Sequence, residues 1–301
     1  NILINPSFTV QQRGAVIDHA ANGYGPDRWK ARGTDYVGGT MAQSSTSLDA
    51  TTGVNKLKIE HNGATDYSFI QQRIEAVNLQ GLYGSEITFS FGYSDSGSGD
   101  PKVNLLSFDS GGTEKTLFDA VPTDLGGGRW SCTCTLSTDD GTFPDPSNRG
   151  FSVVIYPNEK NTAPDEWYVW ETKLEAGSEA TPFVARPYGE ELALCQRYLY
   201  NMDVGTTVIF PATRAGTSKV SFTVTVPVVM RAAPSYSALA GGNDFATRGG
   251  GDQESGLSAY SINLSGNSIY MATDVSFVPD SGSAYVVWVS ASGNYLFDAE
   301  L

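Results

Sequence analysis

The sequence predicts an all-β protein, and three observations predict it. Short stretches alternate apolar and polar residues with the period of two that places side chains on opposite faces of a strand. Between them lie turn-forming clusters, supplied by 33 Gly and 14 Pro without the strict period of collagen. The strand-like stretches are rich in Thr, Ser, Val and aromatics, with 15 Tyr, 14 Phe and 5 Trp in the chain, the composition that suits a pleated, half-buried surface. At 301 residues, 40% of them hydrophobic and 17% charged, the chain has material for about two cores at roughly 150 residues each.

The elements follow in order. Ile87, Phe89, Phe91 and Tyr93 share one strand face, and Thr88 and Ser90 share the other. The same reading fits Lys56 to Glu60, Phe69 to Arg73, Trp130 to Leu136, Phe151 to Tyr156 and Trp167 to Leu174. The clusters Ser94 to Pro101, Asp139 to Asn148 and Asn158 to Asp165 read as turns. No helical period separates these strands, so an antiparallel sandwich is expected rather than a parallel α/β sheet. Gly189 to Tyr200 then breaks the pattern. Leu192, Cys195, Tyr198 and Leu199 recur at helical spacing, Glu190 and Glu191 fall in the first turn, and Pro187 precedes them. Strands return at Val220 to Val226, Ser258 to Leu264, Ser268 to Thr273 and Ala284 to Ser290, with Ala240 to Gly256 expected as a long Gly-rich loop or as a site that needs a neighbour to order it. The expected organisation is a β domain over 1–186, a linking helix over 187–202 and a second β domain over 203–301, a tip or an oligomerisation module.

Charge narrows the partners. With 19 Lys and Arg against 33 Asp and Glu, the net charge is −14, so the cationic surface that phosphate backbones require is missing and nucleic acid is not an expected partner. No apolar run approaches the roughly 20 residues of a membrane helix, so membrane insertion is not expected. The chain begins at Asn1 rather than Met, which reads as a processed product or a part of a longer one.

Leu174 to Tyr200, LEAGSEATPFVARPYGEELALCQRYLY, resembles a segment that recurs in tail-fibre and related appendage proteins of tailed bacteriophages. NILINPSFTVQQRG at Asn1 to Gly14, PDRW at Pro26 to Trp29 and VPVVMRAAPSY at Val226 to Tyr236 resemble the same proteins. The first 185 residues also resemble jelly-roll carbohydrate-binding modules, in which the N-terminal segment pairs with a late strand. The first resemblance implies a virion protein assembled in the bacterial cytoplasm, a homotrimer, contacts with other virion proteins, and adhesion to host cell-surface polysaccharide. A head fibre, spike or decoration protein is the alternative, and a polysaccharide depolymerase a lesser one. The second resemblance implies a structural calcium held by acids after the first Phe and in the last strand. Here Thr9 follows Phe8, and Trp170 stands in the late strand with Glu171 next to it, so that motif is not matched and no cofactor is expected.

Catalytic and metal constellations are weak. His19 and His61 lack companion ligands, Cys132 and Cys134 form a lone C-x-C, and Cys195 lies on the helix's apolar stripe. Asp95 to Asp100 lacks the EF-hand pattern. No G-x-S-x-G elbow is present. Asp139-Asp140 and Glu190-Glu191 read as solvated turns or a helix start. No enzyme is expected. Sugar binding asks for less, namely an aromatic face for the pyranose C–H groups and polar side chains for its hydroxyls. Trp29 and Trp130 match core-facing tryptophans of the jelly-roll modules. Trp167 and Trp170, three apart on one strand, point to different faces, which puts one of them forward as exposed. Tyr24 and Tyr36, in Gly-rich surroundings, are the expected platform of the first domain. In the second, the expected contact is a loop over Gly241 to Gly256, with Asn243, Asp244, Arg248 and Gln253 as ligand-binding residues.

Overall fold

The alternation at Ile87 to Tyr93 becomes a buried strand, and two antiparallel sheets form around it. The computed structural model describes residues 1–13, 23–33, 45–48, 53–61, 68–95, 99–108, 114–136, 150–157, 165–204, 208–238, 245–249, 252–257, 260–275, 285–289 and 293–300. These form two compact units, residues 1–192 and 193–300.

In the first unit the strands are β1 (Lys30–Gly33), β2 (Ser45–Leu48), β3 (Asn55–His61), β4 (Ser68–Glu75), β5 (Glu86–Asp95), β6 (Pro101–Phe108), β7 (Glu114–Ala120), β8 (Thr123–Gly126), β9 (Arg129–Thr135), β10 (Gly150–Pro157) and β11 (Asp165–Ala176). A five-stranded sheet runs β1-β4-β10-β6-β7 and a six-stranded sheet runs β2-β3-β11-β5-β9-β8. This is a β-sandwich whose neighbours are mostly distant in sequence. The core between the sheets takes Ile70, Ile74, Phe151, Val153, Ile155, Val103 and Leu105 from the first sheet. It takes Leu57, Ile59, Phe89, Phe91, Tyr93, Trp167, Val169 and Leu174 from the second. The N-terminal segment lies along β11: Ile2 N donates to Leu174 O at 2.8 Å and Thr172 N to Pro6 O at 3.0 Å.

The parity of β11 changes midway. Trp167 and Val169 face the core, but so do Thr172 and Leu174, because one extra residue is accommodated where the register shifts between Trp170 and Lys173. Glu171, at φ +47°, is that residue. A bulge of this kind re-aims the residues that follow it: Trp170 faces outward by alternation from Val169, and the bulge then returns Thr172 and Leu174 to the buried side.

The helix α1 (Tyr188–Gln196) ends four residues before the periodicity predicts. Tyr198 N closes on Cys195 O at 2.9 Å, and Leu199 already begins a strand, so tertiary pairing overrides the helical spacing of Tyr198 and Leu199. Glu190 is exposed, but Glu191 is buried and is not the solvated acid expected of a helix start. Its carboxylate accepts from Asn5 N at 2.5 Å and from Arg186 Nη1 at 3.0 Å. Arg186 Nη1 also donates to Leu3 O at 3.0 Å. A buried charge needs such partners, and the helix N-terminus adds its own favourable field.

The second unit holds β12 (Leu199–Val204), β13 (Val208–Arg214), β14 (Lys219–Thr225), β15 (Ser235–Ala238), β16 (Phe245–Gly249), β17 (Asp252–Leu257), β18 (Tyr260–Ser265), β19 (Ser268–Asp274), β20 (Tyr285–Val289) and β21 (Gly293–Asp298). A seven-stranded sheet runs β17-β16-β20-β13-β14-β19-β18, and a three-stranded sheet runs β12-β21-β15. Val220, Phe222, Val224, Ile269, Met271 and Val287 pack with Met202, Tyr295 and Phe297 as its core. Of the two readings of Ala240 to Gly256, the described residues follow the one in which a neighbour orders the stretch. Its described part is a hairpin, β16 against β17, at the edge of the seven-stranded sheet. The pairing of β16 to β20 supplies the order that local propensity lacks.

Candidate functional site

The outward face of the five-stranded sheet brings polar and aromatic side chains of β4, β10 and β6 together. With Ile70 and Ile74 of β4 in the core, Phe69, Gln71, Arg73 and Glu75 point the other way. On β10, Ser152, Val154 and Tyr156 share this face, and on β6 Lys102, Asn104, Leu106 and Phe108 do so. Across the strands, Gln71 pairs with Lys30 and Val154, and Arg73 pairs with Ser152, which pairs in turn with Leu106.

Two groups stand out here. Gln71 is 1% exposed and Ser152 0%, yet neither the Gln71 amide oxygen and nitrogen nor the Ser152 hydroxyl has a hydrogen-bond partner. A buried polar group left unmade costs about 1–3 kcal/mol; Ser152 lies diagonal to Gln71 across β10 and β4, and at 0–1% exposure the two meet a ligand only when the side chains over them move aside. Gln72, one residue on, differs sharply. It turns inward and exchanges two hydrogen bonds with Ile4, Nε2 to O at 2.6 Å and N to Oε1 at 2.8 Å.

Aromatic and charged side chains flank this pair. Phe108 sits on Gly150, where an added Cβ would come within 2.3 Å of the ring. The Arg73 guanidinium lies 4.6 Å from the Phe108 centroid. Toward the other end of the sheet the Tyr156 hydroxyl lies 3.3 Å from the Asn104 side chain, and Lys102 Nζ lies 3.1 Å from Asp119 Oδ2. The hydrogen bond to Asp119 raises the Lys102 pKa. Burial, reinforced by Asp119, raises that of Tyr156, so the phenol stays protonated as a donor.

The described carboxylates of this face do not form a hydrolytic pair. Glu75 stands in the Gly150–Phe108 row and Asp119 in the Asn104 row, four residues or roughly 13 Å apart along the strands, at about 3.3 Å per residue, and three strands apart across the sheet. Glycoside hydrolysis needs carboxyl groups about 5–9.5 Å apart. The arrangement suits holding hydroxyl groups. None of the three cysteines is in a disulfide, and burial pushes the Cys132 thiol up to about 12 and Cys134 up to about 11, so neither of these two is a ready thiolate.

The residues expected from sequence fall elsewhere. Tyr24 is half-buried and bridges to Lys30, with the Arg13 guanidinium 4.8 Å and Lys30 Nζ 5.6 Å from its ring centroid. Tyr36, Asn243 and Asp244 lie outside the described residues. Arg248 and Gln253 are brought directly opposite each other in the β16–β17 hairpin. Trp29 is buried, its indole N–H donating to Asn5 O at 2.9 Å, and Trp130 packs against the core. No described group of three or more His, Cys, Asp or Glu could hold a metal ion. At the N-terminal turn the Asn5 amide donates to Val10 O and Asp27 O at 2.8 and 2.9 Å. The sequence signal for Gln71 and Ser152 was the outward parity of two predicted strands; what it lacked was the knowledge that their partners are missing.

No family model matches the chain, and no curated protein does. Among solved structures, the chain is similar to a candidate sugar-binding protein from Bacteroides thetaiotaomicron, at 12% identity and a TM-score of 0.35, over 59% of this chain and all of that one. It is similar to the enzymatically active domain of tailspike protein 4 of bacteriophage CBA120, at 10% identity and a TM-score of 0.35, over 58% of this chain and 21% of that one. A third likeness is to TmCBM61 in complex with β-1,4-galactotriose, at 14% identity and a TM-score of 0.32, over 59% of this chain and 99% of that one. Each superposition is loose, and the sandwich is defined by the strand order above.

Proposed function

We propose that the chain is a noncatalytic appendage of a tailed-phage virion, a tail-fibre or receptor-binding protein that adheres to host-surface glycans. The observation that supports glycan binding best is the pair of buried, unpartnered groups, Gln71 and Ser152, on the outward face of the five-stranded sheet. A sugar offers what they lack: hydroxyls that donate to the amide oxygen and accept from the amide N–H and the serine O–H. Tyr156, Asn104 and Lys102 supply further polar contacts alongside. The virion assignment is supported by the resemblance of Leu174 to Tyr200 to phage appendage segments. That resemblance also favours a homotrimer, in which several weak sites act together through avidity.

The test is binding of labelled protein to host bacterial cells, with purified surface polysaccharide as competitor. Saturable binding that the polysaccharide competes away is the expected result. Cells that take up no protein, or uptake indifferent to the polysaccharide, would remove the adhesion reading.

A further inference from the structure

The opposite side of the sandwich carries a second aromatic platform that the five-stranded face does not use. Alternation from Val169 points Trp170 outward from the six-stranded sheet, just before the bulge at Glu171. There the indole lies flat on β5 at Gly92, where an added Cβ would come within 2.0 Å of Cε2, and it reaches Gly128. A glycine inside a strand weakens it and marks a close approach; here the approach is that of the indole, which is half-buried. Lys56 Nζ stands 4.6 Å from the ring centroid. Around it, Glu166 pairs with Lys58 at 2.7 Å and accepts from the Tyr168 hydroxyl at 2.8 Å. Arg129 Nη1 holds the bulge through Glu171 O at 3.1 Å and its carboxylate at 3.5 Å.

We propose that Trp170 and Lys56 form a second glycan site, one that takes an anionic pyranose such as a uronic or sialic acid. An indole seated on a glycine is a rigid surface for the C–H face of a sugar ring. The cation over it selects the charge. A neutral sugar stacking on that ring displaces the ammonium and forfeits its attraction to the indole, a loss of about threefold in affinity at a water-exposed site. A carboxylate on the sugar turns the displaced ammonium into its partner and recovers a charge-assisted hydrogen bond. Glu166 and Glu171 do not oppose that anion strongly, because each already holds a cation of its own. The site is separate from the Gln71 face and stands or falls without it.

The experiment is tryptophan-fluorescence titration of the full chain with tetragalacturonate, tetraglucuronate and sialyllactose, and with their carboxyl-reduced counterparts. At least one acid is expected to quench saturably and to bind about tenfold tighter than its reduced form, the worth of one charge-assisted contact. Trp170→Ala abolishes that binding. Lys56→Met, a surface change that leaves the ring in place, reduces acid affinity to that of the neutral sugar. Gln71→Leu leaves it unchanged. Failure of all three acids to bind, equal binding of acid and reduced forms, or binding indifferent to Lys56→Met would overturn the proposal, whether or not Trp170→Ala folds.

Discussion

Gln71 holds the folded state and the proposed ligand in opposition. Its amide is buried without a partner, so an apolar residue of similar size relieves the fold of an unmet demand and removes the contact a sugar would use. Gln71→Leu is therefore expected to stabilise the protein by about 1 kcal/mol while weakening glycan binding roughly tenfold. Thermal melting and a binding titration on the same preparation check both signs, and a destabilised variant would show that the amide has a role within the fold. At this scale the sequence is only half legible. Gln71 and Gln72 are chemically identical neighbours, and alternation separates their faces but not their fates. Only the N-terminal segment, distant in sequence, satisfies Gln72 by offering the Ile4 backbone. Trp167 and Trp170 make the same point. Their spacing puts them on different faces, but the bulge that restores Leu174 to the core has no local signature beyond Glu171, a residue that rarely adopts positive φ.

Among the elements, strands with clean alternation were legible and those defined by partners were not. β5, β10 and β14 follow their sequence patterns, whereas β16 and β17 read as a loop because their hydrophobicity is low and their order comes from pairing, β16 to β20 and β17 to β16. The helix was legible at its start, where the acids and Pro187 lie, and not at its end, where Leu199 joins β21. The structure also links two separate sequence signatures. NILINP at the N-terminus and RPYGEE at the helix start meet through Glu191, Arg186 and the backbone of Asn5 and Leu3. Glu191→Ala strands Arg186 and the Asn5 N–H together, and is expected to cost about 3 kcal/mol, read as a lower denaturation midpoint. Glu190→Ala, at the exposed neighbour, is expected to change stability by less than about 0.5 kcal/mol. Equal effects of the two would break the link between the signatures.

For the whole molecule, the charge of −14 fits a solvated exterior around neutral β cores and argues against nucleic acid. The second unit presents Ile209 and Tyr270, 61% and 40% exposed, on strands of the seven-stranded sheet. The proposed homotrimer predicts a light-scattering mass three times the 32.1 kDa of the chain, and a stable monomer at micromolar concentration would contradict it. The central claim, however, concerns the outward face of the five-stranded sheet, and calorimetric titration tests it most directly. Purified host-surface polysaccharide is titrated into the wild-type protein and into Gln71→Leu with Ser152→Ala. Measurable heat with the wild type and its loss in the folded double variant is the predicted result. Equal binding by both proteins would contradict the claim that this face holds the sugar.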